Sequence, residues 1–181
     1  MYRERQIRHW DPEGRFEGAA LRLYEHWALE VSWQQHTLGC YIIFCRREGV
    51  RLQSELTDQE SVELKKVMGE IETALRKPDF SATHFNYWQM GNALPLLHFH
   101  GIPRYDTHRE LAKTLLNRDL TDPTPTHLPL WTSEKVTSEQ MGKLRDAMHI
   151  ALGDKQPDKQ PSMAPRENPF YPGIRKAIDS L

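Results

Sequence analysis

The stretch Leu96-Leu97-His98-Phe99-His100-Gly101-Ile102-Pro103-Arg104 constrains the chain more than any other, because its pattern repeats every second residue. A strand sends successive side chains to opposite faces. Leu96, His98, His100 and Ile102 therefore share one face, while Leu97 and Phe99 anchor the other in a core. The two imidazoles stand roughly 6.5–7 Å apart along such a strand. Gly101 leaves room for a close approach by backbone or ligand. Pro103 cannot donate to a ladder, so pairing is expected to weaken there.

The elements around this strand follow from period and punctuation. Trp27, Leu29, Val31 and Trp33 alternate with Ala28, Glu30 and Ser32, the pattern of a half-buried strand. Cys40-Tyr41-Ile42-Ile43-Phe44-Cys45 is apolar on both faces, as a central strand would be. The two read as an antiparallel hairpin, and Arg46 and Arg47 as its solvated end. Thr57-Asp58-Gln59-Glu60 fits a capping box. Behind it Leu64, Val67, Met68, Ile71 and Leu75 recur at helical spacing, and Pro78 stops the helix. The Met68 face reads as core packing. His84-Phe85-Asn86-Tyr87-Trp88-Gln89-Met90 reads as another strand, turned by Gly91-Asn92-Ala93-Leu94-Pro95 into the histidine strand. Thr137-Ser138-Glu139-Gln140 offers a second capping box, with Met141, Leu144, Met148 and Leu152 on one face and Gly153 at the end.

Hairpin, long helix, hairpin, helix is the order of an α+β fold with an antiparallel sheet. Residues 1–26 read as an N-terminal extension, with Ala19 to His26 a short helix or a loop. Residues 27–152 form the domain. Residues 153–181 read as a proline-rich tail, with Ile174, Ala177, Ile178 and Leu181 as a short terminal helix. Arg109 to Leu116 is either a short helix or a strand recruited by its neighbours.

The 181-residue length suits one domain with appendages, and a net charge of −1 argues against broad binding to nucleic acid. No apolar run reaches membrane-spanning length, and the polar start is not that of a signal peptide. Cys40 and Cys45 lie five apart on a strand and so face opposite ways, which forbids a mutual bridge. A reduced, cytoplasmic setting is the expectation.

A neutral imidazole is a good nucleophile near neutral pH. Attack on an α-phosphorus would give a phosphoramidate intermediate that water then releases. Such a site needs one histidine in a fixed tautomer and donors aimed at the phosphate oxygens. His98 and His100 could be nucleophile and donor. Asn86 and Asn92 could reach the sugar or phosphate if their strand pairs with the histidine strand. No Mg²⁺-binding carboxylate cluster stands out, and this chemistry requires no cofactor. Two other readings stay open on the residues alone. The pair could be structural, or it could be half of a zinc-type site completed by His84, His108 or His127.

Leu96 to Arg104 resembles the signature of the histidine triad (HIT) family, His-x-His-x-His followed by two apolar residues and often Pro-Arg. Leu38 to Ile43, the helix within Leu52 to Leu75, the Asn86 strand, and Trp131 with the helix after it are also similar to that family. The resemblance spans about Trp27 to Leu152 and leaves both ends uncovered. It implies an antiparallel sheet of about five strands with two main helices, a homodimer, and a nucleotide substrate cleaved or transferred at the α-phosphate. The family's nucleophile falls on His98 and its phosphate contact on His100. Asn86, Asn92, Leu96 and Arg104 fall on substrate-binding positions, and no metal site is implied. The expected activity is hydrolysis of a dinucleoside polyphosphate such as diadenosine tetraphosphate, or of a nucleoside phosphoramidate. The first histidine of the signature is Leu96 here, and an aliphatic side chain relays no proton. His84 is a candidate to compensate. A purine-nucleotide-binding protein that has lost turnover is the alternative. Gly101 departs from the signature more mildly.

Overall fold

The computed structural model describes residues 19–47, 49–89, 96–106, 114–115 and 136–154. Within them lie five strands, β1 (Ala20–Leu23), β2 (Trp27–Val31), β3 (Tyr41–Cys45), β4 (His84–Trp88) and β5 (His98–Arg104). Two long helices accompany them, α1 (Asp58–Leu75) and α2 (Ser138–Leu152). The strands form one sheet in the order β1-β2-β3-β5-β4, antiparallel at every junction. This is the expected α+β architecture.

Both helices begin where their capping boxes place them. The Thr57 hydroxyl accepts from the Glu60 amide while Glu60 accepts from the Thr57 amide at 2.7 Å. Thr137 and Gln140 repeat the exchange at the start of α2. Gly153 ends α2 in the left-handed region at φ 83°, where glycine carries no Cβ penalty. Leu64, Val67, Ile71 and Leu75 of α1 and Met141, Leu144 and Met148 of α2 pack on one face of the sheet. They meet Trp27, Leu29 and Val31 of β2, Tyr41, Ile43 and Cys45 of β3, and Leu97 and Phe99. Met68 is partly buried against this core, as its helical face implies. The Trp27 indole lies against Phe99 at 6.0 Å and donates to the Glu60 carbonyl, joining sheet to helix.

Three segments differ from what their sequences suggest. Ala19 to His26 holds a strand, not a helix or loop. β1 takes the outer edge of β2, with Ala20 opposite Glu30 and Leu23 opposite Ala28, across an irregularity between Ala20 and Arg22. The alternation over Trp27 to Trp33 reads as half-buried, yet every residue of β2 is buried, Glu30 included. The arginines after β3 are partnered rather than merely solvated. Arg47 clasps Glu60 at 2.6 and 2.9 Å, and Arg46 donates to the Tyr24 and Glu25 carbonyls.

Gly101 is occupied from the helix side. A Cβ there would stand 2.2 Å from the Tyr41 ring, so the space serves a core aromatic and not a ligand. The Tyr41 hydroxyl lies 2.8 Å from that of Tyr87, which donates to Glu72 on α1 at 2.7 Å. Pro103 acts as expected on one side of β5. The ladder to β3 ends at Tyr41 opposite Gly101, and the Thr37 hydroxyl then donates to the Pro103 carbonyl at 2.6 Å. On the other side β4 stays paired to Arg104. The stretches 1–18 and 155–181, and all of Arg109 to Leu116 except 114–115, lie outside the described residues.

Gly101→Ala forces Tyr41 out of its place. The expected cost is about 1–3 kcal/mol, read as a lower urea midpoint; an unchanged midpoint would mean the ring is not seated there. A second expectation concerns Glu60, whose carboxyl is held down to about 2, first by Arg47 and against the cost of burial. Its folded value lies below the unfolded one, so its contribution is complete above about pH 4.5 and is lost as pH falls through about 2. The stability difference between the parent and Glu60→Gln should shrink over that window in acid titrations followed by circular dichroism.

Candidate functional site

β5 has partners on both edges, and its register fixes what surrounds each histidine. His98 is opposite Phe44, and His100 lies between Ile42 of β3 and Trp88 of β4. Directly opposed residues share a face. The histidine face of the sheet therefore carries His98, His100, Phe44, Ile42 and Trp88, with Glu30 one row beyond Ile42. The expected division of β5 holds, because Phe99 and Leu97 enter the helix-side core and the imidazoles do not.

The two rings sit edge to face with centroids 5.2 Å apart. His98 is 3% exposed and its ring stacks on Phe44 at 5.5 Å and 27°. His100 is half-buried. His98 Nδ1 lies 2.7 Å from the Leu96 carbonyl oxygen. A carbonyl only accepts, so Nδ1 carries the proton and Nε2 carries the lone pair. Burial pushes His98 below the ordinary imidazole value. Burial also pushes His100 down to about 3, with His98 and then His36 opposing its charge. Both rings are thus neutral at physiological pH, and one has a defined nucleophilic nitrogen.

The other sequence-selected residues divide into groups. Leu96 is buried, and what it contributes to the pair is its main-chain carbonyl. Arg104 is buried on the same face, where its guanidinium donates to Asn86 Oδ1 at 3.0 Å. These two form a second polar group, with Arg104 about 13 Å along β5 from His100 at Cα and Asn86, opposite Ile102, about half as far along. Asn92 lies outside the described residues. His84 is exposed opposite Arg104, with Nδ1 3.0 Å from the Thr83 hydroxyl, and does not join the pair. His108 and His127 lie outside the described residues, among which no three His, Cys, Asp or Glu gather as metal ligands would.

Two further polar residues belong to this face, and sequence reasoning passed over both. Glu30 reads as the outer side of a half-buried strand but is fully buried. His36 lies in the β2–β3 connection, where no period exists to place it. Its ring packs edge-on against Trp88 at 5.8 Å and 70°. A groove of about 650 Å³ lies elsewhere, on the helix side of the sheet beside Arg22, Lys66, Glu70 and Lys77, and carries none of the candidate residues.

Comparison with solved structures places the fold among histidine triad proteins. The structure of a histidine triad protein from Marinobacter aquaeolei VT8 aligns over 77% of this chain and 93% of its own, with a TM-score of 0.57 and 19% identity. A histidine triad protein from Sinorhizobium meliloti 1021 aligns over 77% and 94%, with a TM-score of 0.56 and 19% identity. A hypothetical histidine triad nucleotide-binding protein from Sulfolobus tokodaii strain7 aligns over 84% and 92%, with a TM-score of 0.56 and 14% identity. At these identities the likeness is one of fold. No protein-family model and no curated protein matches the sequence.

The tautomer is directly measurable. Long-range ¹H–¹⁵N spectra at neutral pH are expected to show His98 protonated on Nδ1 alone. On acidification both rings should titrate below the ordinary imidazole value, His100 near pH 3. A His98 protonated on Nε2 would remove the nucleophile from the arrangement.

Proposed function

We propose that this chain is a nucleotide hydrolase of the histidine triad type. It cleaves at the α-phosphate of a dinucleoside polyphosphate, such as diadenosine tetraphosphate, or of a nucleoside phosphoramidate. The observation that carries the reading is the His98 Nδ1 bond to the Leu96 carbonyl beside a second imidazole 5.2 Å away. Fold neighbours that bear the histidine triad name, one of them described as nucleotide-binding, support a nucleotide as the ligand.

Nε2 of His98 attacks the α-phosphorus, and the bond to the leaving group breaks. The ring becomes an imidazolium, whose Nδ1–H bond to a fixed carbonyl strengthens as charge develops. His100, neutral in the unliganded site, offers its ring N–H to a phosphate oxygen. Water then displaces His98 and releases the nucleotide. Arg104 occupies the carbonyl oxygen of Asn86, which leaves the Asn86 amide nitrogen as a donor for ribose or phosphate. A homodimer in the cytoplasm belongs to the same proposal.

One observation favours the second reading, a nucleotide-binding protein without turnover. Leu96 is aliphatic and buried, so its side chain moves no proton.

A substrate panel separates the two. The parent is expected to hydrolyse at least one of these substrates, and His98→Ala to lose on the order of 10³-fold or more in kcat. AMP binding by calorimetry should survive the substitution. Tight AMP binding by a parent that turns over nothing would establish the binder, and a fully active His98→Ala would remove the mechanism.

A further inference from the structure

We propose that His36 is the proton donor to the leaving group, a third imidazole of the site brought in from outside the histidine strand. The inference rests on His98 being the nucleophile, as proposed above.

Its first support is position. The His36 ring packs against Trp88, the residue directly opposite His100 on the neighbouring strand and on the same face. It lies close enough to His100 to oppose the charging of that ring, as His98 does. The neighbouring Thr37 is bonded to the Pro103 carbonyl, three residues past His100 and away from His98 along β5. The order across the face is therefore His98, His100, His36. A phosphate held on His100 would have the nucleophile on one side and His36 on the other. In-line displacement needs that arrangement, because the leaving group departs opposite the attacking atom.

The second support is how firmly the connection is built on both sides of His36. The buried Gln35 amide donates to the Ser32 and Cys40 carbonyls at 2.6 and 2.9 Å. Its carbonyl oxygen accepts from the Gly39 and Cys40 amides at 2.8 and 3.0 Å. Thr37, also buried, donates to the Pro103 carbonyl of β5. One neighbour closes the loop on itself and the other ties it to the histidine strand. Between them His36 is half-buried, presented by a frame whose own polar groups are satisfied. His84 has no such frame and sits about four strand residues away.

The chemistry balances. The His98 Nε2 lone pair forms the P–N bond, and the pair of the breaking bond passes to the leaving oxygen or nitrogen, which takes a proton from His36. In the second step a water oxygen bonds to phosphorus and its proton goes to the now neutral His36. The P–N pair returns to His98. Burial disfavours the charged form of His36 in the unliganded site. The negative charge of a bound phosphate acts in the opposite sense and favours the imidazolium when it is needed.

The test is leaving-group dependence in the full chain. Parent, His36→Gln and His98→Ala are assayed on an AMP alkylamidate, whose amine must be protonated to depart, and on the p-nitrophenyl ester of AMP, whose phenolate need not be. His36→Gln is expected to lose about 10²-fold or more in kcat on the amidate and no more than about 3-fold on the ester, with AMP binding by calorimetry unchanged. Equal effects on both substrates, or none, would overturn the role of His36 while leaving His98 as nucleophile. A parent inactive on both, or an active His98→Ala, would overturn the underlying reading and this one with it.

Discussion

Everything at the candidate site depends on the register of β5. The strand is hydrogen-bonded on both edges, so a slip of one residue would have to break two ladders and would exchange His98 and His100 for Phe99 and Gly101 on the histidine face. The pairing of Tyr41 with Gly101 adds a steric stop. The ring fills the volume a Cβ would need, and only glycine in β5 leaves it open. In a register shifted by one residue, Tyr41 would face His100 or Ile102, and neither has that space. A core aromatic on the helix side thus holds the imidazoles to the other side, and its hydroxyl chain through Tyr87 to Glu72 ties the stop to α1.

Burial then decides what the imidazoles can do. Two histidines set side by side on a wet surface would titrate near their ordinary value and spend part of their time as mutually repelling cations. Here Phe44 covers one ring, Trp88 stands opposite the other, and the low-dielectric setting keeps both uncharged. Neutrality alone does not make a nucleophile, since a neutral imidazole has two tautomers. The Leu96 carbonyl chooses between them. The same environment that lowers basicity therefore leaves one nitrogen with an assigned lone pair.

Local signals were legible and non-local ones were not. Thr57 with Glu60, and Thr137 with Gln140, announce helix starts because a capping box is complete within four residues. The alternation of Leu96 to Ile102 told which side chains share a face for the same reason. β1 carries no such signal, because Ala20–Leu23 is too short to show a period and becomes a strand by taking the open edge of β2. A carboxylate in an alternating run reads as solvent-facing, and only the sheet position makes Glu30 buried. The missing side chain of Gly101 is legible in the sequence, but what fills that space, Tyr41, lies 60 residues earlier in the chain. His36 carries no signal in its own neighbourhood. Its place follows from Gln35, whose bonds close the connection on itself, and from Thr37, whose bond to the Pro103 carbonyl closes only once β3 and β5 are in register.

Under the proposed function, Leu96 stands where the signature has its first histidine, and two duties that one residue could hold are then separated. A residue at that position can orient the nucleophile through its backbone or move a proton through its side chain. The first duty needs only a carbonyl oxygen at hydrogen-bonding distance, which any amino acid supplies, and at 2.7 Å this chain keeps it. The second needs a titratable group, and an aliphatic side chain cannot stand in. In that proposal the demand on Leu96 is only for shape and burial, while the demand for a proton passes to whatever imidazole the fold places near His100. That division explains how, in the proposed function, His98 keeps a defined lone pair with leucine in the first position of the signature.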